Sequence, residues 1–476
     1  MKTFEQAVID RQKSVKTTTT NGMKARKNTG SACVDLYFNI GASRGKDLSK
    51  AFKKALVENE DVAVRMLLAT RDVRLGKGER QMFRDLFSTL AAYDKDLALR
   101  VVKRVPELGR WDDLLKIDLS DVEIKTTVFD MIKEALDNGD GLCAKWMPRK
   151  GDTALELRKH FNWSPKFYRK TLVNLTQVVE TAMCEKDWES IDFSKVPSKA
   201  FANYKRAFHR NTPETFETFL EKVNAGEAKV NASAIFPHDV IKGLYDSYFY
   251  NSLKYTKEHK AAIAQWENLP NFLGDSKILP MIDVSGSMTC SAGGSTKVSC
   301  MDVALALGLY CAEKNTGEFK DLFVTFTDDS HVESVKGDIF QKIQQVLRNG
   351  VGYSTDITSA FESILRVAKK SKVPQENMPE YLVIFSDMQF NESWTGRSCF
   401  GTMKKLYKDS GYNIPKVIFW NLNASGNVPV KFSKDGAALV SGFSPSLMKA
   451  ILSCDEDSFT PEGIMLKDLM NSRYDY

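Results

Sequence analysis

The sequence predicts a multidomain chain, an all-α first half followed by a doubly wound α/β second half, and three observations point there. From Cys33 to about Trp266, apolar residues recur at helical spacing between turns, with no strong alternation of period two. From Ile278 onward, short apolar runs alternate with helix-like stretches, the pattern of a mostly parallel sheet covered by helices. Finally, the run Ile278–Ile282 passes directly into Asp283-Val284-Ser285-Gly286-Ser287. That places an acidic side chain and two hydroxyls at i, i+2 and i+4 on the loop leaving a buried strand.

Taken in order, residues 1–32 are rich in Lys, Thr, Asn and Gly and read as a flexible basic arm. Residues 33–276 form the helical region. Helical periods fall at Val62–Thr70, Met82–Ala92, Leu97–Val105, Val128–Leu136, Tyr168–Cys184, Thr215–Val223 and Asp239–Tyr250. Many short antiparallel helices suggest a HEAT-like array or ring, although no clean repeat is visible. Glu267–Asp275, with Pro270 and Gly274, reads as the linker into residues 277–476.

In that second region Ile278–Val284, Leu322–Phe326, Tyr381–Phe385, Lys416–Leu422 and Ala437–Val440 read as strands. His331–Val335 reads as a short edge strand. Met301–Lys314, Ile339–Leu347, Gly401–Lys408 and Pro445–Leu452 read as helices. Tyr381–Phe385 is a continuous apolar run, as expected of a parallel strand buried on both faces. In Rossmann-like doubly wound sheets, ligands bind beyond the carboxyl ends of the strands at the switch point. Asp283 and Asp387 both lie at such ends.

Bulk composition excludes several classes. No stretch of about 18 apolar residues occurs, and Met1–Asn28 is polar, so a soluble, cytoplasmic chain with no membrane partner is expected. Eight cysteines are scattered without CxxC pairs, and the five histidines form no Cys/His cluster, which argues against zinc and a disulfide framework. Net charge is +6. Residues 277–476 carry 21 Lys and Arg against 23 Asp and Glu, residues 33–276 carry 39 against 36, and residues 1–32 carry 7 against 2. The basic excess that nucleic-acid contact favours is therefore concentrated in the arm.

The candidate metal site is rich in hard oxygen donors. Mg²⁺, or Mn²⁺, takes about six oxygens, which Ser285 and Ser287 supply as hydroxyls and Asp283 as a carboxylate, directly or through water. Gly352-Tyr353-Ser354-Thr355-Asp356 opens an apolar-periodic segment, placing Thr355 at a helix start, where it could equally serve as an N-cap. Ser386-Asp387 ends the 380s strand. Met288–Lys297 is a polar, Gly-rich insertion beside the loop; its Gly293–Lys297 lacks the GxxxxGK[ST] spacing of a phosphate loop.

Two basic segments stand out in the helical region. Arg71–Arg80 (with Arg71, Arg74, Lys77 and Arg80) is either a Gly-containing helix connection with solvated charges or a phosphate-contacting loop. Ala144–Lys150 joins Trp146 to Lys145, Arg149 and Lys150, a set able to grip phosphate and base or merely to pack. Trp111, in Gly109–Leu114, reads as a packing residue.

The DxSxS loop, Thr355 and Asp387 together resemble the metal-ion-dependent adhesion site of von Willebrand factor A domains, in which the counterparts of Thr355 and Asp387 complete the metal site. With the helical half, the chain resembles the Ro/TROVE family, and more closely an uncharacterised Ro-like family of viral and plant proteins. Phe236–Ile241 resembles the "HPFHIL"-type segment late in the helical ring, Leu279–Met288 the first strand and metal loop, Thr355-Asp356 the "GGTD" turn, and Ile384–Phe390 the strand bearing the last aspartate. Arg71–Arg80 and Gly109–Leu114 resemble signatures of the uncharacterised relatives. The resemblance implies a helical ring closed by the A-domain, binding small structured or misfolded RNA. The near-balanced charge of residues 33–276 departs from the family's strongly basic surface.

The expectation is a monomeric, non-enzymatic, RNA-binding ribonucleoprotein scaffold whose bound metal leaves one position open for an acidic partner. The alternative is a metal-dependent protein-interaction adaptor that binds no nucleic acid. A hydrolase is disfavoured because no general base or nucleophile pair presents itself and coordination would consume the hydroxyls.

Overall fold

The computed structural model describes residues 16–18, 24–242, 244–245, 257–292, 298–325, 330–349, 357–390, 399–423, 436–453 and 459–476. Two compact units emerge, and they do not follow the linear division at 32 and 276. One contains residues 1–62 and 235–471; the other contains 63–234 and the last five residues, 472–476.

The second of these is wholly helical. Several of its helices start where sequence supplies a cap. Asp94 Oδ1 accepts from Leu97 N at 2.9 Å ahead of Lys95–Leu108, and Asp121 accepts from Glu123 and Ile124 ahead of Val122–Asp137. Ser164 caps Pro165–Leu175, with the proline at the first helical position where its missing N–H costs nothing. The period read as one helix over Tyr168–Cys184 is two, Pro165–Leu175 and Val179–Glu185. Thr176 ends the first, its Oγ1 donating back to Leu172 O at 2.6 Å. Phe193, Phe201, Phe208 and Phe216 pack at centroid distances of 4.8–6.4 Å as one aromatic nucleus. Residues 472–476 complete the unit. Arg473 donates from Nε and Nη2 to the fully buried Asp72 at 2.5 and 2.7 Å, and Tyr474 is buried beside them.

The α/β unit begins with a small antiparallel pair, β1 (Lys16–Thr18) and β2 (Lys24–Arg26), where only an arm was expected. Its main sheet contains β3 (Ile278–Ile282), β4 (Leu322–Thr325), β5 (Val332–Ser334), β6 (Tyr381–Ser386), β7 (Lys416–Asn421) and β8 (Ala437–Ser441). The spatial order is β5-β4-β3-β6-β7-β8, all parallel except the edge strand β5. Because the order reverses between β3 and β6, their carboxyl ends form the switch point. Every residue of β3 and β6 is buried, which is why both read as unbroken apolar runs.

Residues 33–62 and 235–276, assigned to the helical region by sequence, belong to this unit. The helix Ala32–Ile40 lies against β8: Ser441 Oγ donates to Tyr37 O at 3.1 Å, and Phe38 joins the core formed by Leu279, Leu382, Phe419 and Leu439. Helix Pro237–Ile241 packs on helix Cys300–Lys314. The expected linker is docked rather than free, for Tyr310 OH donates to Pro270 O at 2.6 Å and Asn271 Nδ2 to Lys314 O at 3.0 Å. Helix Cys300–Lys314 itself approaches β3 closely at Gly308, where a Cβ would stand 2.4 Å from Ile282 Cγ1. Among the described residues no helix is long and apolar enough to cross a membrane.

Candidate functional site

At the switch point, β3 and β6 run in register, Ile282 opposite Phe385, so Asp283 and Asp387 leave neighbouring strands on one rim. Asp283 is fully buried and its N–H donates to Phe385 O at 3.2 Å. Its Oδ1 accepts from Ser285 N at 3.0 Å and Ser285 Oγ at 2.7 Å; its Oδ2 accepts from Ser386 Oγ at 2.7 Å. Ser285 Oγ lies 3.1 Å from Ser287 Oγ, and the Ser287 hydroxyl donates in turn to Asp387. The four residues thus form one chain of hard oxygens. Ser285 is buried, whereas Ser287 is exposed, so the chain runs from the core to solvent.

The electrostatics are uncomfortable for anions. Burial first, and then the nearby Asp387, push the Asp283 carboxyl up to about 6 against its hydroxyl donors. Burial likewise raises Asp387. Among the described residues neither carboxylate has a basic partner, and no cluster of three or more His, Cys, Asp or Glu residues appears. A set of two carboxylates and two hydroxyls fits a hard divalent cation, which prefers oxygen and relieves like charge. Met388 follows in the left-handed region at φ +66°, held there by burial and by its N–H donating to Ser386 Oγ at 3.1 Å. Thr355 and Asp356 lie outside the described residues, as do Gly293–Lys297 of the insertion, which is closed by a bridge between Ser291 and Ser299.

Sequence reasoning missed Ser386 as the second hydroxyl on Asp283, although it stands directly before Asp387. Cys300 Sγ lies 3.5 Å from Cys290 Sγ, which accepts from Asn423 Nδ2 at 3.4 Å.

In the helical unit, the basic candidates separate. Arg71 is completely buried and Lys77 is 1% exposed, so neither can grip RNA from an outer surface. The reason is an acid distant in sequence, for Arg71 Nε donates to Asp113 Oδ2 at 2.7 Å. Arg74 and Arg80 are exposed, with Arg74 Nη1 3.4 Å from Glu107 O. Lys145 pairs with Glu180 at 3.3 Å. Arg149 donates to Ala144 O and Thr176 Oγ1 at 2.9 and 3.0 Å yet remains exposed, as does Lys150. Trp111 packs, its Nε1 donating to Asp140 at 3.1 Å.

A helical unit joined to a doubly wound α/β unit with an oxygen-rich switch point is the class these features define. Residues 277–471 match a family model described as "Domain of unknown function (DUF7788)", and residues 19–99 and 123–277 match another, "Domain of unknown function (DUF2828)". The chain is similar to an uncharacterized protein of Acanthamoeba polyphaga mimivirus, 29% identical over 510 residues that span 94% of this chain and 86% of that protein. The crystal structure of the Deinococcus radiodurans RO (RSR) protein aligns over 92% of this chain and 93% of its own at 13% identity, with a TM-score of 0.40. That likeness is too distant to carry residue roles across.

Proposed function

We propose that this chain is a non-enzymatic RNA-binding scaffold of Ro type whose α/β unit is a von Willebrand factor A-like domain holding Mg²⁺ or Mn²⁺ for an acidic partner. The observation that carries the metal half is the pairing of two buried carboxylates, Asp283 and Asp387, through Ser285 and Ser287, with no basic side chain between them among the described residues. Ser285, Ser287 and Asp387 would hold the ion, with Asp283 behind them and Thr355 added from the sequence pattern. The ion would act as a Lewis-acidic anchor for a carboxylate. Asp283 positions Ser285, and Ser386 keeps Asp283 in place.

RNA binding is supported by the resemblance of the residues named above and by exposed Arg74, Arg80, Arg149 and Lys150 on the helical unit. A gel shift with structured RNA at 50 and 200 mM salt tests it. Phosphate contacts release counterions, so affinity should fall steeply between the two. Affinity that stays level, or no shift at all, removes RNA from the proposal.

A protein adaptor without nucleic acid is the second reading. It is favoured by the near-balanced charge of residues 33–276 and by the burial of Arg71 and Lys77. Capture of an acidic partner that is lost on Asp283→Ala and on adding EDTA, with no RNA recovered, would select it.

A further inference from the structure

The helical unit holds a second cluster of buried charge, opposite in sign to the first. Arg71 ends helix Glu60–Arg71 and reaches Asp113; Gly109 admits it, since a Cβ there would lie 2.7 Å from Arg71 Nε. Arg84, from the next helix Arg80–Tyr93, places Nη2 2.6 Å from the other oxygen of Asp113. The Arg110 N–H donates to Asp113 Oδ2 at 3.1 Å, its guanidinium pairs with Asp112 at 3.1 Å, and the same guanidinium stacks 3.9 Å over Trp146. Lys116 reaches Asp112 at 2.7 Å.

Arg80 stands at the exposed side of this group, near enough to Arg71 and Arg110 that their charges, after burial itself, hold its guanidinium below its ordinary value. Three guanidiniums and an ammonium therefore share two carboxylates, with the Arg80 charge beside them. Among the described residues Nη1 of the fully buried Arg71 and Nε of Arg84 have no hydrogen-bond partner. A buried charged donor left without an acceptor is costly, a cost that a bound anion would relieve. The same unit shows what a purely structural pair looks like: Asp72 takes two bonds from Arg473 and the hydroxyl of Tyr474, one acid to one base.

We propose that Arg80, Arg84 and Arg110, with Arg71 behind them, form a binding site for a phosphate group, carried in the cell by an RNA strand. The identity of the carrier rests on the RNA-binding reading above; the anion site does not. A phosphate fits better than a carboxylate because its charge matches the surplus and its oxygens accept from several guanidinium forks at once. Arg110, stacked on Trp146, is pre-oriented and gives up little freedom on binding.

The test is calorimetric titration of the full chain with inorganic phosphate, alone and in competition with 5′-phosphorylated and 5′-hydroxyl oligoribonucleotides. Wild type should bind phosphate saturably. Arg80→Gln, at an exposed position, should weaken binding roughly tenfold or more, the usual effect of one charged hydrogen bond. Arg110→Lys keeps the charge but loses the fork and should also weaken it, while Lys103→Gln, on an exposed face of Lys95–Leu108, should not. Absence of saturable phosphate binding, or an equal loss in Arg80→Gln and Lys103→Gln, overturns the site. If phosphate binds but neither oligonucleotide displaces it, the anion site stands and its assignment to RNA falls. If RNA binds equally to wild type and Arg80→Gln while phosphate binding is weakened, RNA binding stands elsewhere on the chain and the assignment of this site to RNA is overturned.

Discussion

Asp283 with Asp387 in the α/β unit, and Arg71 with Arg80, Arg84 and Arg110 in the helical unit, are two solutions to one problem. Each gathers like charges around a buried centre, Asp283 in the first and Arg71 in the second. In the first, hydroxyls from Ser285, Ser287 and Ser386 share the load, and the uncompensated charge is negative. In the second, Asp112 and Asp113 neutralise part of the cluster, and the remainder is positive. The contrast teaches that the sign of the surplus, more than the depth of burial, indicates what a charged cluster is prepared to receive.

The sharpest way to break this contrast is to remove the shared acid of the basic cluster. Asp113→Ala strands buried Arg71 and should cost about 3–5 kcal/mol, with hydrogen exchange accelerating across residues 63–234 and much less in the sheet. Adding Arg71→Met should recover part of that loss, since no buried charge is then left unpaired. Full stability in Asp113→Ala alone would show that the carboxylate is dispensable there.

For the acidic cluster the expected effect is somewhat smaller and depends on metal. Mg²⁺ at 100 times its dissociation constant should stabilise the wild type by about 2.7 kcal/mol in urea unfolding. Asp283→Asn should be at least as stable as wild type in EDTA, because a buried like charge is gone, yet gain nothing from Mg²⁺. An equal gain in both proteins would dissociate the ion from this site.

Packing beneath the site comes next. Gly308→Ala drives a methyl group into Ile282 on the strand that carries Asp283 and should cost about 1–3 kcal/mol. If that strand is what aims the oxygens, the Mg²⁺ gain should shrink as well. A cost confined to stability would separate the packing from the site.

The smallest effect concerns a buried acid that belongs to neither cluster. Burial pushes the Asp35 carboxyl up to about 6, against hydrogen bonds from Thr29. The folded state therefore holds a proton that the unfolded state releases near its ordinary value of 3.8. Asp35's contribution is favourable below that value and is lost as pH rises through about 6. The shift alone is worth about 3 kcal/mol at most, and Asn gives up the charged acceptor of Thr29 N, worth about 2 kcal/mol, so Asp35→Asn should raise stability at pH 7–8 by about 1 kcal/mol, an advantage that should vanish near pH 4. An advantage independent of pH would point to a cause other than titration.

Much of the sheet was legible because its strands are buried on both faces and its edge strand is short and polar. The 380s strand, read as Tyr381–Phe385, extends by one residue to Ser386. The oxygen chain was legible to the extent that it is local: Asp283, Ser285 and Ser287 lie within five positions. Asp387 was found because it ends the adjacent parallel strand, whereas Ser386, 103 residues from Asp283, gave no signal of its own. The basic turn misled for a related reason. A run of Arg and Lys looks the same whether solvent surrounds it or an acid 42 residues away, as Asp113 is from Arg71, draws part of it inside. Helix Ala32–Ile40 was recognised as helix but not as a companion of β8, since an apolar face does not name its partner.

The contacts of helix Ala32–Ile40 and of residues 472–476 reach across nearly the whole chain. Ser441 meets Tyr37 at a separation of 404 positions, and Arg473 meets Asp72 at 401. Each unit is thus finished by a segment from the far side of the other's sequence, like two interleaved parentheses. A gene cut at residue 276 would leave one product without the helix that seals its sheet and the other without its closing clasp. Because such distant closures are entropically slow to form, co-expression of the two fragments is expected to recover less folded protein than the intact chain.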